Sequence, residues 1–136
     1  MTEPNEGLPP ILREYEFDLR VRYRETDGQG RVHHSNYLNY FEIARVEMLR
    51  ASGRNYKDVE ASGILMVVTH ATCRYFYPAA YDDLLRIRVE LVKTKKTRAI
   101  FAYHISLDEV LVAEGETTIA AVSQEGKIVR LPDWML

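Results

Sequence analysis

The residue types that could do chemistry lie close together in one loop near the start of the chain. Asp27 stands in a segment that contains Gly28 and Gly30, and a predicted helix opens a few residues later, near Asn36. A carboxylate in such a loop can act as a general base or as a nucleophile. A helix N-terminus has unpaired backbone N–H groups and a positive dipole end, which can polarise a carbonyl or bind an anion. Together these two features predict a small acyl-transfer site.

The segment after this loop predicts a long helix over about 36–52. Ser35 or Asn36 is expected to cap its N-terminus, and Gly53 stands where a C′ glycine would end it. Apolar residues recur at helical spacing and also extend beyond a single stripe. We therefore expect a helix that is covered more deeply than a surface helix, as if a sheet curled around it.

Alternating apolar and polar residues predict five strands, over about 16–23, 64–77, 84–93, 98–107 and 110–123. A short, partly helical stretch is expected around 56–62. Residues 1–12 contain three prolines and are expected to form a loose leader before a single domain over 13–136. The order predicts an α+β domain in which an antiparallel five-stranded sheet wraps one long central helix. Its exposed strand edges favour pairing with a second copy, so we expect at least a homodimer.

Composition excludes several classes of protein. The 136 residues suit one domain, and a net charge of −2 argues against nucleic acid as the main partner. The single cysteine, Cys73, cannot form an internal disulfide, so we expect a reducing, cytoplasmic compartment. No apolar run approaches the roughly 20 residues of a membrane span. We therefore expect no membrane span. The His, Cys and acidic residues show no spacing typical of a zinc site.

The loop and the element order together resemble a known family. Thr26-Asp27 is followed by Gly30-Arg31-Val32 and then by His34-Ser35-Asn36-Tyr37-Leu38. This order is similar to the hotdog-fold acyl-CoA thioesterases, in the branch of 4-hydroxybenzoyl-CoA and YbgC-type thioesterases, and residues 77–85 form a second similar segment. The resemblance implies a hotdog fold, an acyl-CoA substrate and no metal. It also implies no cofactor, since coenzyme A is part of the substrate, and a site at the interface of a homodimer or homotetramer.

The resemblance also implies roles for two catalytic residues. Asp27 matches the catalytic carboxylate, which acts as nucleophile or as general base on a water molecule. His34 lies where the family supplies a backbone N–H to the thioester oxygen, and its imidazole could assist proton transfer as a secondary contribution. The neighbouring His33 is expected to face solvent or to be structural.

Four further residues are candidates for substrate binding. Tyr23 matches a tyrosine that lines the family's site, but it could equally be a core aromatic of the first strand. Asn36 is expected mainly to cap the helix and so to fix the amide that faces substrate. Tyr37 and Thr69 are candidate lining residues of the acyl pocket, as is Arg31, which departs from the small or apolar residues usual there.

Alternatives remain open at this point. Glu42 and Glu47 could supply the carboxylate, as in another hotdog branch, although Arg45 and Arg50 stand three positions later as ordinary ion-pair partners. Basic residues clustered over 93–98 could receive the phosphates of coenzyme A or form a solvated face. The chain could act on acyl carrier protein instead of coenzyme A. It could also bind acyl thioesters without turning them over.

Overall fold

A computed structural model describes residues 8–136 and shows one antiparallel sheet with one long helix across its face. The five strands occupy the sheet in the order β1-β3-β4-β5-β2, and each neighbouring pair is antiparallel. The elements are β1 (Glu14–Arg20), α1 (Asn36–Ala51), α2 (Tyr56–Ala61), β2 (Leu65–Tyr75), β3 (Leu84–Thr94), β4 (Arg98–Leu107) and β5 (Val110–Val122), with 3-10 turns at Tyr23–Glu25 and Asp133–Met135. The predicted α+β architecture is confirmed.

The core lies between the sheet and α1. The helix buries one face of aromatic and aliphatic side chains, which pack on the inward-facing residues of β3, β4 and β5. Phe41 on the helix stacks on Tyr103 of β4, with ring centroids 4.2 Å apart. Gly115 makes this approach possible, because a Cβ there would lie 2.7 Å from the Phe41 ring and 2.1 Å from the carbonyl oxygen of Thr72. Close packing of helix on sheet therefore fixes where the N-terminus of α1 lies.

The first strand ends earlier than its alternating pattern predicts. The ladder between β1 and β3 stops where Arg20 pairs with Leu84, so the backbone beyond has no partner strand. Tyr23 instead opens a 3-10 turn, in which the Glu25 carboxylate accepts the backbone N–H of Arg22 at 2.8 Å. The predicted strand over 16–23 is thus two residues late at its start and three residues too long at its end.

The predicted leader over 1–12 is described only from residue 8, and its first seven residues lie outside the described part. The portion expected to be loose is instead held against the domain. Ile11 is buried and donates its backbone N–H to the carbonyl of Trp134 at 2.9 Å. The backbone N–H of Leu12 donates to Ser52 Oγ at 3.0 Å, and Arg54 donates to the carbonyl of Pro9 at 2.8 Å. These contacts join both ends of the described chain to the end of α1.

One edge of the sheet carries exposed apolar residues. Strand β2 pairs with β5 on one side only, and most of its residues are exposed on both faces. Val67, Val68 and Tyr75 are among its exposed large apolar side chains. Such an edge offers unpaired backbone groups to another strand. Separately, no helix within residues 8–136 is long and apolar enough to cross a membrane.

Candidate active site

The loop after the first 3-10 turn holds Asp27 by its own backbone. Thr26 forms an isolated bridge with Val32, and the Asp27 N–H donates to the carbonyl of Arg31 at 2.8 Å. Gly30 donates back to the Asp27 carbonyl at 3.0 Å, with a positive φ of 77° that favours glycine. These hydrogen bonds fix the backbone on both sides of the Asp27 side chain.

The Asp27 carboxylate is stabilised in its charged form. Its Oδ1 accepts the backbone N–H of Gln29 at 2.8 Å and that of Arg31 at 3.3 Å. The Gln29 hydrogen bond is the main cause that holds the pKa of Asp27 below its ordinary value, with further contributions from Arg31 and from the nearby His33. The carboxylate is therefore ionised at neutral pH, as a base or nucleophile must be.

The N-terminus of α1 begins beside this loop. His33 donates its N–H to the carbonyl of Glu25 at 2.9 Å, and its Nδ1 accepts the backbone N–H of Ser35 at 3.2 Å. Asn36 donates its N–H to the carbonyl of His33 at 2.9 Å. Within residues 8–136, the backbone N–H of His34 donates to no protein acceptor. A donor at this helix end is thus left for another group.

Asp27 and His34 line the same cleft. It has a volume of about 370 Å³, within the range of small-molecule sites. Its other walls come from the loop, the first turn of the helix and the end of β2. They are Gln29, Arg31, Val32, Tyr37, Tyr75, Phe76, Tyr77 and Pro78. Three predicted site residues, Asp27, His34 and Tyr37, are therefore brought together, along with Arg31.

Two tyrosines in edge-to-face contact lie beside His34. Tyr37 is only 3% exposed and meets Tyr75 edge to face, with centroids 5.4 Å apart. The Tyr75 hydroxyl donates to the carbonyl oxygen of His34 at 3.1 Å. Burial raises the pKa of both Tyr37 and Tyr75 to about 12, so both phenols stay protonated at neutral pH. Tyr75 is not among the site residues predicted from the sequence, although the aromatic run over 75–77 is a visible signal.

Two other candidates, Tyr23 and Thr69, lie outside this cleft in the single chain. Tyr23 is 77% exposed and packs edge-on against Tyr81, so it is neither a core aromatic nor a lining residue here. Thr69 is exposed at an irregularity of β2, with its Oγ1 3.4 Å from the carbonyl of Thr118. The binding roles of Tyr23 and Thr69 stay predictions.

Asn36 has a different local role from the one expected. The N-cap position is Ser35, and Asn36 is the first residue of α1. Its side-chain amide donates to the carbonyl of Glu25 at 2.8 Å, and its Oδ1 accepts from Asn39 at 3.1 Å. The expectation that Asn36 caps its own helix is therefore wrong, because its side chain joins the helix to the preceding turn. It lines a second cleft together with Arg22 and other residues, not the cleft of Asp27.

The alternative carboxylates lie elsewhere on α1. Glu47 pairs with Arg50, as expected. Arg45, however, donates to the hydroxyl of Tyr103 at 3.0 Å, and Glu42 lines a separate pocket beside it. Neither glutamate lines the cleft that contains Asp27.

The basic hairpin over 93–98 joins β3 to β4 at the end of the sheet where Arg98 pairs with Ala120. The cleft lies at the other end, where Tyr75 pairs with Ala113. Within one chain, the basic residues over 93–98 are therefore far from Asp27. Residues 8–136 also contain no group of three or more His, Cys, Asp or Glu that could hold a metal ion.

Comparison with known proteins places this geometry in a family. The sequence profile of the thioesterase-like superfamily matches residues 21–136. The chain is 32% identical over 109 residues to the acyl-CoA thioester hydrolase YbgC of Escherichia coli O6:H1, covering 79% of this chain and 81% of that protein.

Two solved structures share the fold. One is a probable thioesterase from Bartonella henselae, with a TM-score of 0.83 and 33% identity over 88% of this chain and 99% of that one. The other is the DHNA-CoA thioesterase of Staphylococcus aureus, with a TM-score of 0.83 and 28% identity over 87% of this chain and 80% of that one. The profile, the sequence identity and the superposed fold agree, and the chain belongs to the thioesterase-like superfamily.

Proposed function

We propose that this enzyme hydrolyses acyl-CoA thioesters to a free acid and coenzyme A, with Asp27 as the catalytic carboxylate. One observation carries the proposal: an ionised carboxylate and an available helix N-terminal N–H, those of Asp27 and His34, line the same cleft. The names of relatives such as YbgC support the substrate class.

The reaction needs few groups, because a thioester carbonyl is electrophilic and a thiolate is a good leaving group. The carbonyl oxygen accepts the His34 N–H, which stabilises the negative charge that develops on it. Asp27 either activates a water molecule or attacks the carbonyl carbon itself through Oδ2, which the hydrogen bonds of Gln29 and Arg31 leave available. Coenzyme A leaves as the thiolate. In the second route, water then hydrolyses the acyl–Asp27 anhydride and restores the carboxylate.

We further propose that the site works in a homodimer or homotetramer formed through the exposed edge of β2. The cleft lies at the C-terminal end of this strand, beside Tyr75. Antiparallel pairing with the β2 of a second copy would bring the N-terminal end of that strand next to the cleft. Side chains from that end of the second copy's β2 would then lie beside an acyl group that Asp27 attacks.

A hydrolysis screen tests the activity. Short, long, branched and aromatic acyl-CoAs are offered to the protein, and free coenzyme A is followed with a thiol reagent. The proposal expects turnover of at least one acyl-CoA. Turnover of acyl groups only on acyl carrier protein would change the substrate class. Tight binding of acyl-CoAs by calorimetry without any release of thiol would overturn the enzymatic function.

A single turnover in ¹⁸O-water tests the nucleophilic role of Asp27. When water attacks Cγ of the acyl–Asp27 anhydride, the carboxylate takes up ¹⁸O and one of its own oxygens leaves with the acid product. A general base leaves the Asp27 peptide unlabelled, and so does a nucleophilic Asp27 whose anhydride is hydrolysed at the acyl carbon. Label found by mass spectrometry in the peptide that contains Asp27 therefore establishes the nucleophilic role.

A further inference from the structure

A buried charged residue stands two positions before Asp27. Glu25 is only 6% exposed, although it ends a surface turn, and it does not line the cleft that contains Asp27. Burying a carboxylate costs free energy unless charged or hydrogen-bonding partners offset the loss of water. The partners of Glu25 therefore indicate what the residue is for.

The Glu25 carboxylate joins the Tyr23–Glu25 turn to helix α1. Its Oε2 accepts two hydrogen bonds from the Arg22 guanidinium, at 3.1 Å from Nε and 2.9 Å from Nη2. Its Oε1 accepts the Arg22 backbone N–H at 2.8 Å and the hydroxyl of Tyr40 at 3.0 Å. Burial acts to raise the pKa of Glu25, but the hydrogen bonds from Arg22 and Tyr40 more than offset it and hold the pKa below its ordinary value.

The main chain of the same residue contacts the helix N-terminus. The carbonyl oxygen of Glu25 accepts the backbone N–H of His33 at 2.9 Å and the side-chain amide of Asn36 at 2.8 Å. His33 and Asn36 flank His34, the residue whose N–H we assign to the thioester oxygen. Glu25 thus holds the start of α1 through its carbonyl and, through Tyr40, the buried face of the same helix.

The chain then runs from Glu25 directly into the loop of Asp27. Glu25 therefore lies between the two parts of the site. It is hydrogen-bonded to Arg22 at the start of the turn that leads into the Asp27 loop, and to residues on both sides of His34 at the start of α1. Each side is fixed by at least two hydrogen bonds, so that a rotation of the turn would break several of them at once.

We propose that Glu25 is a positioning residue, which sets the separation between the Asp27 carboxylate and the His34 N–H by locking the Tyr23–Glu25 turn to helix α1. The proposal rests on the function proposed above. A displacement of about 1 Å between reacting groups can reduce turnover by ~10²-fold even when the substrate still binds. Glu25 itself touches no substrate in this account.

The central test is Glu25→Gln, which keeps the shape of the side chain but replaces a charged acceptor oxygen with an NH2 group that cannot accept from Arg22. We expect kcat on the best acyl-CoA to fall by ~10- to 10²-fold, with KM changed by less than about threefold, because the cleft wall is untouched. Circular dichroism and the melting temperature establish that the assayed protein is folded at the assay temperature.

Two further variants separate positioning from general stability. Tyr40→Phe removes only the hydroxyl that ties the carboxylate to α1, and it should lower kcat by less than Glu25→Gln, again at an almost constant KM. Asp133→Asn is the control, because it removes the negative charge from the Arg130–Asp133 pair, which has the same i,i+3 spacing but lies in the C-terminal turn. It should leave both kcat and KM unchanged.

The outcomes decide between the possibilities. A folded Glu25→Gln protein with the kcat of the unaltered protein, or with only KM raised, overturns the positioning role. If Glu25→Gln does not fold, Tyr40→Phe decides, and an unchanged kcat in that variant overturns the proposal. Failure of the proposed function is seen separately, since it would appear as full activity of Asp27→Asn or as no acyl-CoA turnover by the unaltered protein.

Discussion

The backbone N–H of Gln29 lies 2.8 Å from Asp27 Oδ1 and donates a hydrogen bond to it. This contact lies within the loop that carries Asp27, and it stabilises the Asp27 side chain in its charged form. The donor is a main-chain group, so its effect does not depend on the glutamine side chain. The charge state of the site is therefore a property of the loop's backbone conformation.

The lowered pKa of Asp27 predicts how kcat/KM depends on pH on the acid side. Asp27 is active as the carboxylate, and its pKa lies below the ordinary 3.8, so kcat/KM should stay level from neutral pH down to about 4. Below that pKa it should fall by about tenfold per pH unit as the carboxylate takes up a proton. The measurement is kcat/KM between pH 3 and 8, with circular dichroism to show that the protein stays folded. An acid limb centred near pH 6 would instead assign the essential group to a histidine.

The pair of variants His34→Ala and His34→Pro separates a main-chain role from a side-chain role. Alanine still supplies the N–H, so His34→Ala should keep much of the activity. Proline has no N–H, and loss of one oxyanion donor typically lowers turnover by ~10²- to 10³-fold.

Proline at position 34 also restricts the backbone of His33, so its fold must be checked by circular dichroism and melting temperature. The comparison is between turnover numbers of folded proteins. Equal losses in both variants would show that the imidazole carries the chemistry and that the helix N-terminus does not.

The assembly gives a prediction about β2. Light scattering should show a mass of two or four chains. The variant Val68→Lys should be more monomeric and less active, because a charge at an exposed strand edge opposes pairing with another strand. Val92→Lys is the control: Val92 is similarly exposed but lies at an irregularity of β3, a strand that stands between β1 and β4 and is not at an edge of the sheet. A stable monomer with full activity would contradict both the proposed assembly and the proposal that two copies share the site.

Local signals in the sequence located some elements within one residue. Helix α1 was expected over 36–52 and spans Asn36–Ala51, because Gly53 ends it with a positive φ of 80°. The strand predicted over 98–107 matches β4 at both ends. These boundaries depend on turn and cap residues that lie next to the elements they end.

Features that depend on distant partners were not predictable in this way. Strand β1 ends where its pairing with β3 stops, at the first residue of β3, some sixty residues later in the chain. The alternation of apolar and polar residues within β1 does not mark this point. Arg45 was assigned an ion pair from its spacing to Glu42, but Tyr103, on β4, takes its hydrogen bond. Glu25 was overlooked because Arg22 and Tyr40 explain its burial only once the turn and the helix are packed together.

The most direct test of the account is the turnover number of Asp27→Asn on the best acyl-CoA substrate. Asparagine keeps the size of the side chain and an oxygen that can accept from Gln29, but it can act neither as base nor as nucleophile. We predict a folded protein with the melting temperature nearly unchanged and kcat lowered by at least ~10²- to 10⁴-fold. A folded Asp27→Asn protein that keeps most of its activity would contradict the assignment and direct attention to Glu42 and Glu47.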